Sequence, residues 1–500
     1  MKTVLLVLFS SFLILIQAIA KEPIPPPVKN KFLKVTSCEE LTSYIRELDQ
    51  QSVFVTAEVF GKSSQGRDMF ALLFSSTVFG QDSSKLKVLI FAQQHGNEQS
   101  GKEGALLLSR ELVKPENRYL LEKLEIALIP QMNPDGSEKN QRRNGHDMDL
   151  NRNHLILTEP ETMALHQLFD KYHFEATLDV HEYSPFGDDW KKYGYRKNAD
   201  VTLGSTTNLN VSNDIRKFSN EVFMPYYFKY LANSHFTSFT YCPGGPPEVA
   251  YIRHSTFDIN DGRQGFGILN TFSFIQEGMN GKDDLIENLQ NRAESQMTGM
   301  RGFLEFIVQQ KDKIGNLVNN ERARLISGKA NPTISIQSEH VSNGQLLRLP
   351  LLSYSTGKDT LVTVTDYRPV VQSVLDVSKP IGYLIPKNNE ALVQWVSRQA
   401  FVQRPAPSQE SCRAEAFFIN AIDSIDFEGD KVVNPHVTML PYTDAIPLNG
   451  YIFLPTDQLK GNLLVLSLEP QSMLGLVTYK NFADMLRPGQ LFPVLRVTKR

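Results

Sequence analysis

The chain has 500 residues, of which 41% are hydrophobic, 21% charged and 10% aromatic, a composition that allows two or three compact units and excludes disorder throughout. Lys and Arg number 52 against 55 for Asp and Glu, a formal charge of −3, so there is no global attraction for nucleic acid or anionic membranes, and neither partner is expected. Three cysteines, Cys38, Cys242 and Cys412, are too few for a disulfide framework or a Cys-type zinc site; at most one bridge can form.

In chain order, residues 1–20 read as a secretory signal peptide: Lys2, an apolar run from Val4 to Ile16, and Ala18-Ile-Ala20 before Lys21. The run is shorter than a spanning helix requires, so the mature chain is expected without a membrane anchor, secreted or periplasmic. Residues 21–34 are a Pro-rich leader, expected to form neither a helix nor a central strand. Cys38 to Leu48 has apolar residues at helical spacing, with Ser37 placed to cap it. Val53 to Phe60 and Met69 to Phe74 read as a strand pair around Gly61-Lys-Ser-Ser-Gln-Gly-Arg67.

Strands and helices then alternate: strand Lys87 to Ala92, helix Gly101 to Val113, strand Leu124 to Pro130, helix Glu159 to Tyr172, strand Ala176 to Val180, strand Asn270 to Gln276 and helix Asp283 to Gln309. The alternation predicts an α/β domain over 35–320, with a mixed, mostly parallel sheet covered by helices on both faces and ligands bound at the carboxyl ends of its strands. Beyond Gly328 come short apolar runs broken by Pro, Gly, Asn and Asp, such as Thr333 to Ile336, Leu361 to Val364, Tyr383 to Ile385, Tyr451 to Leu454 and Leu463 to Leu466. They predict an all-β accessory domain over 328–500.

The strand ending at Ala92 leads into His95-Gly-Asn-Glu98, and the strand from Ala176 leads into His181. Two His and one Glu would give zinc three protein ligands and leave a fourth position for water, the open arrangement of catalytic zinc sites. Each piece alone has an ordinary alternative: an accidental HxxE, or a satisfied histidine at a strand end. Between them lie Asn133-Pro-Asp-Gly136, Arg142-Arg143-Asn144 and Asp149-Leu-Asn-Arg-Asn153. With Gly61 to Arg67 upstream, these motifs, in this order and spacing, resemble the zinc metallocarboxypeptidases, the M14 peptidases, over about residues 35 to 310.

The resemblance implies a carboxypeptidase-like fold and one Zn2+ per chain, held by His95, Glu98 and His181. It implies that Asp149 orients His95 by accepting its other N–H, and that Asn151 and Arg152 bind the substrate's terminal carboxylate. Arg142 matches the residue that polarises the scissile carbonyl, with Arg143 as the close alternative in contact with substrate. Glu277, in Thr271-Phe-Ser-Phe-Ile-Gln-Glu277, matches the general base that activates water at the zinc. The family's mobile tyrosine has no clear match; Tyr251 is nearest by position and Tyr241 is the alternative. Asp261, Arg263 and His254 are candidates for the residue that reads the terminal side chain, an Asp favouring basic and an Arg acidic termini.

His166, His173, His340 and His436 are expected to be structural or at the surface, and Glu182 to support His181 or be solvated. Segments 468–479 and 491–496 are similar to tails of some bacterial secreted members, so the accessory domain is expected to pack or position substrate, with cell-wall binding as the alternative. The expected activity is a zinc exopeptidase acting on peptide or protein C-termini. Cell-wall peptides cleaved by the same chemistry are a second substrate class, and a non-catalytic binding protein on the same fold is a third reading.

Overall fold

Leu86 to Ala92 and Leu124 to Ile129 are almost continuously apolar, and with Ala176 to Tyr183 they are almost continuously buried, as strands covered on both faces must be. The computed structural model describes residues 22–282, 285–407, 412–427, 429–443 and 448–499; the expected signal peptide lies outside them. Its main sheet has eight strands: β1 (Val55–Lys62), β2 (Asp68–Phe74), β3 (Leu86–Ala92), β4 (Leu124–Ile129), β5 (Ala176–Tyr183), β6 (Val201–Ser205), β7 (Ser238–Thr240) and β8 (Phe272–Met279). The order is β1-β2-β4-β3-β5-β8-β6-β7, with β4, β3, β5 and β8 parallel at the centre. Antiparallel pairs occur at β1–β2, β2–β4 and β8–β6.

Successive side chains of a strand point to opposite faces, and the contacts of β3 and β5 follow that rule. Phe91 meets Phe266 of the helix Gly262–Gly267, whereas a Cβ at Gly101, in the helix Gln99–Leu112, would touch Ala92 and Val180. Helices therefore cover both faces. The helix Cys38–Gln51 starts with a complete capping box, in which Ser37 accepts from the Glu40 N–H and Glu40 reaches back to the Ser37 N–H.

Three expectations need correction. The Pro-rich leader does contain a helical turn, Pro26–Lys29, because proline is tolerated in the first turn, where its missing N–H has no helical partner. The helix expected from Asp283 begins at Leu289. The C-terminal region is β-rich but not all-β, since Glu390–Arg398 and Gly461–Leu468 are helices. Leu463 to Leu466 lies in the second, buried on every side, so its apolar run carries no period that separates helix from strand.

The C-terminal strands form several sheets. Thr333–Val341 pairs with Val370–Ser378, and a five-stranded sheet joins Asp430–Tyr442, Cys412–Phe427, Leu491–Lys499, Gly382–Pro386 and Tyr451–Pro455. Leu347–Ser353 pairs on one side with Asp359–Val364 and on the other with Tyr195–Lys197, a strand from the first half of the chain. One hydrophobic core runs from Leu41 to Val494 through both halves. Trp395, fully buried, donates Nε1–H to the Leu155 carbonyl (3.0 Å), and Gln399 donates to the same oxygen (2.7 Å). Among the described residues no helix is long and apolar enough to cross a membrane, and no disulfide forms. Burial pushes the Cys242 thiol up to about 12, which leaves it protonated and inert.

Candidate active site

The carboxyl ends of β3, β5 and β8 open into a cleft of about 700 Å³. After β3, the turn carrying His95 and Glu98 packs directly on the short helix Pro134–Glu138. A Cβ on Gly96 would lie 2.1 Å from the Gly136 carbonyl carbon, so no larger residue fits there. Asn133 caps that helix by accepting from the Gly136 N–H (2.8 Å). Asp135, fully buried, accepts from Ser63 and Ser64 hydroxyls (both 3.0 Å), the Gln65 N–H (2.9 Å) and Arg67. The Asn-Pro-Asp-Gly motif thus ties the Gly61 to Arg67 turn to the floor of the cleft.

His95 and His181 turn their Nδ1 atoms toward each other at 3.1 Å. His95 Nδ1 is 2.7 Å from Glu98 Oε1, and His181 Nδ1 is 2.9 Å from Glu98 Oε2. Each ring's Nε2 faces a carboxylate: Asp149 at 3.1 Å from His95, and Asp179 at 2.9 Å from His181. With Nε2–H donating to those carboxylates, both Nδ1 atoms present lone pairs to one another and to Glu98. Two bare nitrogens and a carboxylate converging in a buried space fit a divalent cation, and N,N,O is a donor set suited to zinc.

Glu277 stands beside His181 in the parallel register of β8 and β5 and lines the cleft. Burial is the main influence on its carboxyl; His181 opposes it and Glu98 adds to it, and the net result is a value raised to about 7. Arg142 donates to Asp149 through Nε (3.1 Å) and Nη2 (2.9 Å), and its Nη1 is 3.2 Å from His95 Nδ1, so its guanidinium lies at the rim of the cluster. Arg143 instead donates to the Asp147 carbonyl and does not line the cleft.

Asn151 Oδ1 accepts from the Gly262 N–H (2.8 Å) and Gln94 Nε2 (3.2 Å), which fixes the amide and leaves Nδ2 as its available donor. Arg152 lies next to it on the exposed side. Partial loss of water within the cleft disfavours its charge, but Asp258, Asp149 and Asp261 outweigh this and hold it cationic. An amide donor beside a guanidinium can hold a carboxylate.

Of the two tyrosines, Tyr241 lines the cleft, with burial, then Glu277, raising its pKa, whereas Tyr251 lies under the Arg368 guanidinium. Asp261 and Arg263 also line the cleft; His254 does not. Glu182 points to the opposite face from His181 and is held by Arg292 (2.8 Å) and the Ser100 hydroxyl (2.5 Å). His166 bonds His154 in the core (3.0 Å) and His173 ends the helix Pro160–Tyr172. His340 is buried, and His436 pairs with Asp423 at the surface.

Sequence reasoning missed Asp179 and Gln94. Asp179 sits two residues before His181, on the same face by the strand's period of two, and that spacing was a usable signal. Gln94, which links Asp179, Asn151 and His154, carried none. It also missed Lys197 and Arg253 at the Glu277 end of the cleft, and Phe427, Asp430, Val432, Met473, Leu474 and Tyr479 from the C-terminal region.

Residues 41–222 match the family model described as zinc carboxypeptidase. The chain is similar to "Carboxypeptidase 2" of Trichophyton rubrum, 24% identical over 475 residues that cover 92% of this chain and 86% of the relative. It is also similar to "Carboxypeptidase D" of Homo sapiens, 27% identical over 232 residues that cover 40% of this chain and 17% of that protein. Among solved structures, a metallo-carboxypeptidase from Pseudomonas aeruginosa in complex with (2-guanidinoethylmercapto)succinic acid is 21% identical, with 55% of this chain and 69% of that chain covered and a TM-score of 0.42. The chain is a hydrolase of the metallocarboxypeptidase class. Its similarity is to the zinc carboxypeptidases, the M14 peptidases, over residues 41–222.

Proposed function

We propose that the protein is an exported zinc exopeptidase that removes the last residue of peptides or proteins, with His95, Glu98 and His181 holding one zinc ion. The observation that carries this reading is the convergence of two histidine lone pairs and a carboxylate beside Glu277. Bound zinc supplies a Lewis acid that polarises a carbonyl and makes water nucleophilic near neutral pH.

This chain's residues do the rest. Asn151 Nδ2 and Arg152 bind the free carboxylate and so place the last peptide bond. Arg142 donates to the carbonyl oxygen as negative charge builds there. Glu277, with a carboxyl near neutrality, accepts the proton of the attacking water and passes it to the leaving amine. Asp149 and Asp179 keep both imidazoles in the tautomer that turns Nδ1 toward the ion. Tyr241, not Tyr251, is placed to touch substrate. The N-terminal sequence supports export.

The test is a mass-spectrometric time course on matched peptides with free or amidated C-termini and on a cell-wall stem peptide, with and without a zinc chelator. Stepwise, chelator-sensitive loss from free ends alone is expected. Cleavage of the stem peptide alone would transfer the reading to cell-wall substrates, and silence from the zinc-loaded protein on all three would leave a binding protein.

A further inference from the structure

The cleft has a wall that the sheet does not supply. The strands Cys412–Phe427 and Asp430–Tyr442 form a hairpin whose tip reaches the active-site loop, with the Phe427 ring 5.5 Å from that of Phe257. The segment from Met473 to Tyr479 runs along the same side. Tyr479 lines the cleft and its hydroxyl lies near Asn260, Asp258 and Arg152. This wall therefore stands at the carboxylate-binding end, where the terminal side chain must go once Asn151 and Arg152 hold the carboxylate.

Charges of both signs meet at that end. Arg263, 1% exposed, is paired with Asp261 at 2.6 Å and also donates to the Ser255 and Thr256 hydroxyls. Asp258 and Asp261 offset Arg152. Lys197 and Arg253 lie together at the other end, near Glu277, and Asp430 is an exposed residue of the hairpin. Apolar side chains line the cleft beside these groups: Ile259 and Ile275 from the catalytic half, and Val432, Met473, Leu474 and Phe427 from the C-terminal region.

We propose that the C-terminal region supplies the apolar wall of the side-chain pocket and makes the enzyme selective for peptides ending in an apolar residue. This rests on the exopeptidase reading. Asp261 and Arg263 are engaged with each other, so neither offers its charge to a terminal side chain, whereas the apolar wall favours an apolar one. Tyr479 is a positioning residue: it packs in the cleft lining beside Asn260 and Arg152, next to the loop whose Gly262 N–H fixes the Asn151 amide.

The experiment compares kcat/KM for peptides differing only in the last residue, Leu, Phe, Glu or Lys, in the full-length zinc enzyme. An apolar terminus should be favoured by roughly tenfold or more; a parent that prefers Glu or Lys, or shows no preference, overturns the proposal. Two opposite variants at half-buried Val432 then locate the wall. Val432→Lys should shift the ratio toward Glu termini and Val432→Glu toward Lys termini, a reciprocal change that general damage to the fold cannot produce. Identical profiles in both variants would remove the C-terminal region from the pocket. Tyr479→Phe should raise KM several-fold while kcat holds, and an unchanged KM would end its positioning role.

Calorimetric binding of the same peptides to Glu277→Gln protein reads the preference without turnover. Selective binding there without hydrolysis by the parent would uphold the pocket and sink the exopeptidase reading. Hydrolysis with no apolar preference would do the reverse.

Discussion

On the sheet side of the cleft, each side chain is fixed by hydrogen bonds to particular atoms: His95 by Asp149, His181 by Asp179, Asn151 by the Gly262 N–H. On the C-terminal side, Phe427, Val432, Met473 and Leu474 offer area and volume that other apolar residues of similar size could also provide. Residue type is dictated by chemistry on the first side and only by shape on the second. A single polar change should therefore abolish function on one side and retune it on the other.

The sharpest way to break that contrast is Glu277→Gln. Turnover is expected to fall by about a thousandfold with zinc content unchanged, measured by steady-state kinetics and metal analysis; unimpaired turnover would remove Glu277 from the mechanism. His181→Ala should leave the purified protein with little zinc, and Asp179→Asn should weaken zinc affinity about 10–100-fold through the ring it holds. A full complement of zinc in His181→Ala would rule out the proposed ligand set.

On the other side, Trp395→Ala should cost about 4 kcal/mol and move one cooperative unfolding transition rather than split it, since the core is shared. Two separated transitions in calorimetry would mean that the halves fold apart. Asp135→Ala should cost about 3 kcal/mol, because it strips several donors of their buried acceptor.

Its pH dependence has a definite sign. Burial raises the Asp135 carboxyl, but Arg67, the Gln65 N–H and the Ser63 and Ser64 hydroxyls outweigh it and hold it below its ordinary value. A group whose folded value is lowered stabilises fully above its unfolded value and loses that contribution as pH falls through the folded one. The gap in Tm between parent and Asp135→Ala should thus hold from neutral pH to about 4 and narrow below it. Ser37→Ala, far from either wall, should cost only about 1 kcal/mol.

The same contrast explains what was legible beforehand. The catalytic sheet was readable because β3, β4 and β5 are buried on both faces and bounded by turn residues, and the residues at their ends belong to types with few structural uses. Arg142 and Arg143 could not be separated because neighbouring residues share a spacing and only the path of the loop turns one of them inward. Leu463 to Leu466 was misread because a run buried all round has no polar side to reveal its period. Tyr479 and Val432 were invisible as site residues, since nothing local distinguishes a side chain packed against its own core from one packed against a substrate.

The bonds from Trp395 and Gln399 to the Leu155 carbonyl set an order of events during synthesis. The loop that follows Asn151 and Arg152 leaves the ribosome more than two hundred residues before its partners do. Until they arrive, Leu155 has neither donor, and the pocket has no far side. A half-made chain therefore lacks both the far wall of the cleft and the C-terminal share of the common core.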